Sequence, residues 1–257
     1  ADQCIWIQNH DETGSGEITL RSLDLRVPVF CEGSSPVIYN CLVSCEVDNE
    51  YAPAAINVYS DEGKIAGPTI KNCLFSVNAP DIGLGLYLGS KASVIDCTFL
   101  TEEPSSADYS AGIKCTDIES GTLVSNCIFS QTAHANGIEV ASGSISPEIS
   151  YSTFWGGEPL VPDTLPAVNT QIEDPLVRYT IGKPESYSLD CVRTGQEENS
   201  PCIDTGRPTR LVYDYPYGTT RSDDVMDYCR FDRGYRRIVQ SSVLGAVDVL
   251  KPFEKCD

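Results

Sequence analysis

The stretch Ile70-Lys71-Asn72-Cys73-Leu74-Phe75-Ser76 decides the reading of this chain, because the chain repeats it. It recurs as Ile38-Tyr39-Asn40-Cys41-Leu42-Val43-Ser44, as Val94-Ile95-Asp96-Cys97-Thr98-Phe99 and as Val124-Ser125-Asn126-Cys127-Ile128-Phe129-Ser130. A worn copy follows at Ile149-Ser150-Tyr151-Ser152-Thr153-Phe154. The cysteine position steps through 41, 73, 97, 127 and 152, at intervals of 32, 24, 30 and 25 residues. Self-similarity at a period of roughly 20–50 residues marks stacked units that share one core.

Each repeat holds a second short strand ahead of the cysteine strand. These are Ala55-Ile56-Asn57-Val58, Gly85-Leu86-Tyr87-Leu88, Gly112-Ile113-Lys114-Cys115 and Gly137-Ile138-Glu139-Val140. Gly, Ser, Asn and Pro punctuate the intervals as turns require, and no helical period is sustained. Short strands joined by turns at this spacing describe the coils of a β-solenoid. Asn tolerates the left-handed backbone and can bond its own turn. Asn40, Asn72, Asp96 and Asn126 are therefore expected to stack as a structural ladder at one bend. Alternation then sends the cysteine and the following Phe inward. Upstream, Ile18-Thr19-Leu20 and Leu23-Asp24-Leu25-Arg26-Val27 also alternate as strands. After Gly157 the rhythm breaks. We expect one domain, with coils over 1–157 and the last coil or coils plus a cap over 158–257, since a solenoid must hide its final edge.

Composition bounds the partners. Lys and Arg total 18 against 37 Asp and Glu, a formal charge of −19. Such a surface repels nucleic acid and anionic membranes and favours basic partners or divalent cations. No run approaches the ~18 consecutive apolar residues that span a bilayer, so direct membrane insertion is not expected. The start at Ala1-Asp2-Gln3 and the even count of 12 cysteines suit an exported protein, extracellular, on the cell surface or periplasmic. Cys41, Cys73, Cys97 and Cys127 share one repeat position and are expected buried and reduced, because parallel side-chain vectors oppose bridging. Cys191, Cys202, Cys229 and Cys256 fall in the irregular tail. Of the three pairings that four cysteines allow, we expect Cys191–Cys202, closing a short loop, and Cys229–Cys256, pinning the last residues. The pairing of Cys4, Cys31, Cys45 and Cys115 stays open. Zinc is disfavoured: there is no Cys-x-x-Cys pair, and His10 and His134 are the only histidines.

The Asn-Cys-x-Phe coils resemble the right-handed parallel β-helix repeats of the pectate-lyase-like superfamily. The tail is similar to the closing segment of secreted bacterial β-helix proteins. Its motifs read Asp174-Pro175-Leu176-Val177, Ser200-Pro201-Cys202-Ile203-Asp204-Thr205-Gly206, Asp232-Arg233-Gly234-Tyr235-Arg236-Arg237 and Gly245-Ala246-Val247-Asp248. The resemblance implies an all-β fold: a short right-handed parallel β-helix with an irregular, disulfide-tied C-terminal cap. It leaves the activity open, since the superfamily holds lyases, glycosidases and adhesins. In the tail, Asp204 is expected to pair with Arg236 or Arg237 in a structural, two-pronged contact.

Four constellations are candidates for chemistry. Asn57, Tyr87, Lys114 and Glu139 point outward from the second strand and form one column if the coils register. A base, a phenol and a carboxylate on a parallel sheet suit proton abstraction beside a uronate. A glycosidase would instead need two carboxylates ~5–9 Å apart, and among 37 acidic residues no pair stands out. Asp223, Asp224 and Asp227, like Asp48-Asn49-Glu50, concentrate oxygen ligands for calcium, without EF-hand spacing. Finally, Leu42, Leu74 and Ile128 form an outward apolar column on the cysteine strand, expected either to meet a partner or to lie under the chain's own loops. The reading that follows is an exported, non-enzymatic structural or binding module that contacts a protein or a surface glycan through one face. The alternative is a polysaccharide lyase or glycosidase. No cofactor is called for beyond calcium.

Overall fold

The computed structural model describes residues 4–8, 18–44, 54–61, 63–77, 82–101, 110–130, 135–180, 183–189 and 201–202. Over these the chain winds through three sheets of seven strands, every neighbouring pair parallel and one coil apart. The first sheet takes Ile5–Gln8, Val29–Glu32, Ala54–Tyr59, Ile82–Tyr87, Ser110–Thr116, Ala135–Val140 and Glu158–Val161. The second takes Thr19–Arg21, Val37–Tyr39, Thr69–Lys71, Ser93–Ile95, Leu123–Ser125, Glu148–Ser150 and Ala167–Val168. The third takes Asp24–Leu25, Leu42–Val43, Leu74–Val77, Thr98–Thr101, Ile128–Ser130, Thr153–Trp155 and Gln171–Ile172. This is a parallel β-helix whose coils begin at Ile5, earlier than the Asn-Cys repeats. An antiparallel hairpin of Val177–Thr180 and Lys183–Leu189 follows the last coil.

Between the second and third sheets every coil turns on two residues, and the first of them is left-handed. Ser22, Asn40, Asn72, Asp96, Asn126, Tyr151 and Asn169 have φ of 55°, 55°, 51°, 55°, 61°, 49° and 55°. A non-glycine residue pays about 1 kcal/mol or more there, least for Asn and Asp, which explains the residue before each cysteine. The side chains also bond along the axis, each amide donating one coil back. Asn40 Nδ2 donates to Ser22 Oγ at 3.1 Å, Asn72 Nδ2 to Asn40 Oδ1 at 3.2 Å, and Asn126 Nδ2 to Asp96 Oδ1.

From Asn40 to Tyr151 the second corner residue points inward. Cys41, Cys73, Cys97 and Cys127 are fully buried. Each thiol reaches the carbonyl two residues before it, on Tyr39, Lys71, Ile95 and Ser125, at 3.3–3.4 Å. Each also lies 3.6–3.7 Å from a carbonyl of the preceding coil. Ser152 takes over in the worn repeat, donating to Ser150 O at 3.0 Å and accepting from Cys127 N at 3.2 Å. Cys4, Cys31, Cys41, Cys73, Cys97, Cys115 and Cys127 are all thiols. Cys202 is buried, while its expected partner Cys191, and Cys229 with Cys256, lie outside the described residues, as does Cys45. The disulfide-tied cap is thus no part of the described structure.

Two residues past Cys73, Cys97, Cys127 and Ser152, Phe75, Phe99, Phe129 and Phe154 form a buried ladder with centroids 4.4, 4.9 and 4.8 Å apart and planes within 13°. The spacing matches the ~4.8 Å between hydrogen-bonded strands, so stacking costs no distortion. Across the interior the rings press on the glycines that open the first-sheet strands. A Cβ on Gly112 would stand 2.7 Å from Phe129 Cδ1 and 2.8 Å from Gly137 O. On Gly137 it would meet Phe154 Cδ1 at 2.7 Å, and on Gly83 it would meet Phe99 Cδ1 at 3.0 Å. The recurrent glycine clears both the ring and the backbone carbonyl of the next coil.

Two outcomes test this packing. Gly112→Val should destabilise the protein by about 1–3 kcal/mol through overpacking, read as a lower denaturation midpoint at unchanged slope. Burial pushes the Cys31 and Cys115 thiols from about 9 up to about 12. It also raises Cys73 and Cys97, and Cys41 is raised by its thiol contact with Cys73 and by burial. A thiol raised in the fold ionises first in the unfolded chain. Stability is therefore full below pH 9 and should fall steadily as pH rises from 9 toward 12, measured by denaturant titration at each pH. A flat profile would place these thiols in water.

Candidate binding face on the first sheet

The first-sheet strands send alternate residues inward, with Ile7, Cys31, Val58, Leu86, Cys115 and Val140 in one buried row. The outward row between the buried ones runs Trp6, Phe30, Asn57, Gly85, Lys114, Glu139 and Val161. Asn57, Lys114 and Glu139 therefore share the expected column, but Tyr87 does not. Gly85 holds its place, and Tyr87 sits two residues further on, in register with Glu32, Tyr59 and Thr116. The correction has a physical content. Because position 85 lacks a side chain, the Tyr87 ring folds back over it: a Cβ on Gly85 would collide with Tyr87 Cε2, Cζ and Oη. The phenol thereby re-enters the column sideways.

The column's members differ in availability. Asn57 is fully buried and bonds its own strand, Oδ1 accepting from Ala54 N at 3.1 Å and Nδ2 donating to Ala54 O. It serves the backbone. Lys114 Nζ lies 3.2 Å from Glu139 Oε1, and Asn136 Nδ2 donates to Glu139 Oε2 at 3.1 Å. Base and carboxylate answer each other. Among the described residues the buried Tyr87 hydroxyl has no hydrogen-bond partner, and its pKa is raised by that burial and by nearby Tyr59.

A feature that the repeat reading missed crosses the same face. Trp6 stacks on Phe30 with centroids 5.0 Å apart and planes at 13°. Phe30 lies 6.5 Å from Tyr59 at 12°, and Tyr59 lies 5.0 Å from Tyr87 at 19°. The strip thus slants over four coils and shifts from one outward row to the next. Its signal is the alternation Ile5-Trp6-Ile7-Gln8 and Val29-Phe30-Cys31-Glu32, which precedes the Asn-Cys coils from which the period is read.

The other candidates divide simply. Leu42, Leu74 and Ile128 do line up across the third sheet, with Thr98 and Thr153 between and beyond them. They are nevertheless 5%, 0% and 0% exposed, outside the main core cluster but covered within the single chain. The column is not an open face, and the expected interface there is overturned. Asp204, Asp223, Asp224, Asp227, Arg236, Arg237, His10, His134 and the 48–50 acidic cluster lie outside the described residues. Among the described residues no three His, Cys, Asp or Glu side chains are grouped to hold a metal, and no helix is long and apolar enough to cross a membrane.

The model of the right-handed beta helix region family matches residues 28–161, just over half the chain. The chain belongs to that family. No curated protein and no solved structure matches it.

Substitution at the pivot of this face has a distinct signature. Gly85→Ala should displace the Tyr87 ring and weaken its stacking on Tyr59, changing the near-ultraviolet circular dichroism of the tyrosines. Its stability loss should be smaller than that of Gly112→Val, because a side chain rather than backbone must give way.

Proposed function

We propose that this chain is an exported, non-enzymatic binding module that contacts a protein or glycan through the outer face of its first sheet. The observation that carries the reading is the ordered strip Trp6, Phe30, Tyr59 and Tyr87, ending beside the Lys114–Glu139 pair. Aromatic side chains offer large contact area with little rotamer entropy to lose, which makes them anchors of recognition surfaces. A parallel sheet holds them with their spacing set in advance, so little ordering cost falls on binding. The formal charge of −19 argues against nucleic acid and anionic lipid as partners.

The alternative, a polysaccharide lyase or glycosidase, would draw on Lys114 and Glu139. Two features weigh against it. The ammonium is engaged by the carboxylate beside it, and Asn57 is spent on its own strand. A general base must reach the proton it takes, within hydrogen-bond distance of substrate. Incubation with neutral and uronate polysaccharides separates the readings. We expect retention of a ligand by affinity electrophoresis with no release of reducing or unsaturated sugar ends. Bond cleavage by the wild type that disappears in Lys114→Ala would replace the module with the enzyme.

A further inference from the structure

We infer that Trp6, backed by Glu32, is a stacking subsite for one neutral pyranose ring of a glycan, an inference that rests on the binding-module reading above. Trp6 belongs to the outermost strand of the first sheet, whose one strand neighbour among the described residues is Val29–Glu32. One face of the indole is covered by Phe30, and the side chain is still 55% exposed. Among the described residues, the aromatic strip thus ends on a ring face that no further rung covers.

The indole is also fixed. Its Nε1–H donates to Glu32 Oε2 at 3.0 Å, and Gln8 Nε2 donates to that same oxygen. An exposed tryptophan held by stacking on one side and by a charge-assisted hydrogen bond at its edge has already lost its rotamer freedom. Glu32 Oε2 takes both donors, while Oε1 accepts none among the described residues. A flat apolar ring beside an open carboxylate oxygen fits a pyranose. The sugar's C–H face lies on the indole, and a ring hydroxyl donates to Oε1. A uronate would set its own carboxylate beside Glu32 on a chain already at −19, which excludes it.

The test uses the full chain carrying Trp155→Phe, so that emission reports Trp6, the other of the two tryptophans. The probes are neutral gluco-, manno- and xylo-oligosaccharides, with oligogalacturonate as the anionic comparator. At least one neutral series should change Trp6 emission saturably, and oligogalacturonate should leave it unchanged. Trp6→Ala should weaken retention on the bound glycan about ten-fold or more, which corresponds to the loss of one good stacking contact. Glu32→Gln keeps an acceptor for the indole but loses the second carboxylate oxygen, and should weaken binding while the tryptophan stays in place. Trp6→Phe, which conserves the stack on Phe30, should retain most of the binding and guards against misfolding of the alanine variant. Three results overturn the inference: no neutral series perturbs Trp6, oligogalacturonate binds as well, or Trp6→Ala binds undiminished. Glycan binding that ignores Trp6 removes this subsite alone. Lys114-dependent cleavage removes the module reading itself.

Discussion

A chain that turns in two residues, seven times over, has to place a side chain in a backbone region that sterics disfavour, and the rest of this molecule follows from how it does so. The left-handed residue between the second and third sheets sets which way the next side chain points. Because it is left-handed, the residue after it enters the interior, and simple alternation then brings in the Phe two positions on. Buried thiol, stacked ring and glycine clearance all depend on that one dihedral. Asn lowers its cost and links the corners by side-chain hydrogen bonds. Where Tyr151 replaces Asn at a φ of 49°, the adjacent Ser152 maintains the hydrogen bonding that the cysteine supplies elsewhere.

The ring ladder shows how such local economy becomes a core. Phe99, Phe129 and Phe154 reach across the interior to the opposite sheet, so these three coils are each closed by a contact between the third-sheet ring and a first-sheet glycine. The stack binds coil to coil, and the ring-on-glycine contact binds sheet to sheet. The outward rows of the first sheet escape both demands, and there aromatic and charged residues sit at positions the core does not dictate.

The architecture was legible because its signals are periodic. Asn-Cys-x-Phe writes the corner and the inward pair together, whereas the clearance role of Gly83, Gly112 and Gly137 shows only once the sheets are in register. The face was only partly legible. Asn57, Lys114 and Glu139 align because the strands share one offset. Tyr87 could not be placed from spacing, since its strand carries the Tyr two residues beyond the glycine that occupies the column. Nor does a repeat motif show what covers an outward leucine: Leu74 faces away from the core and is still buried. Trp6 escaped notice because its strand lies upstream of the repeats, where one alternating run has no copies to support it.

The seven corners between the second and third sheets are all two residues long, although the steps from one corner to the next range from 18 to 32 residues. Most of the variation in repeat length is therefore carried by the other two corners, with a smaller part in the strands themselves. The invariant corner acts as a phase lock: an insertion there would turn the cysteine outward and dephase the inward residues of its own coil. An insertion at either of the others leaves the phase untouched and only adds surface. Such a chain can diversify two of its edges by gaining or losing loops while its interior stays the same, so new specificities can arise without a new fold having to be found.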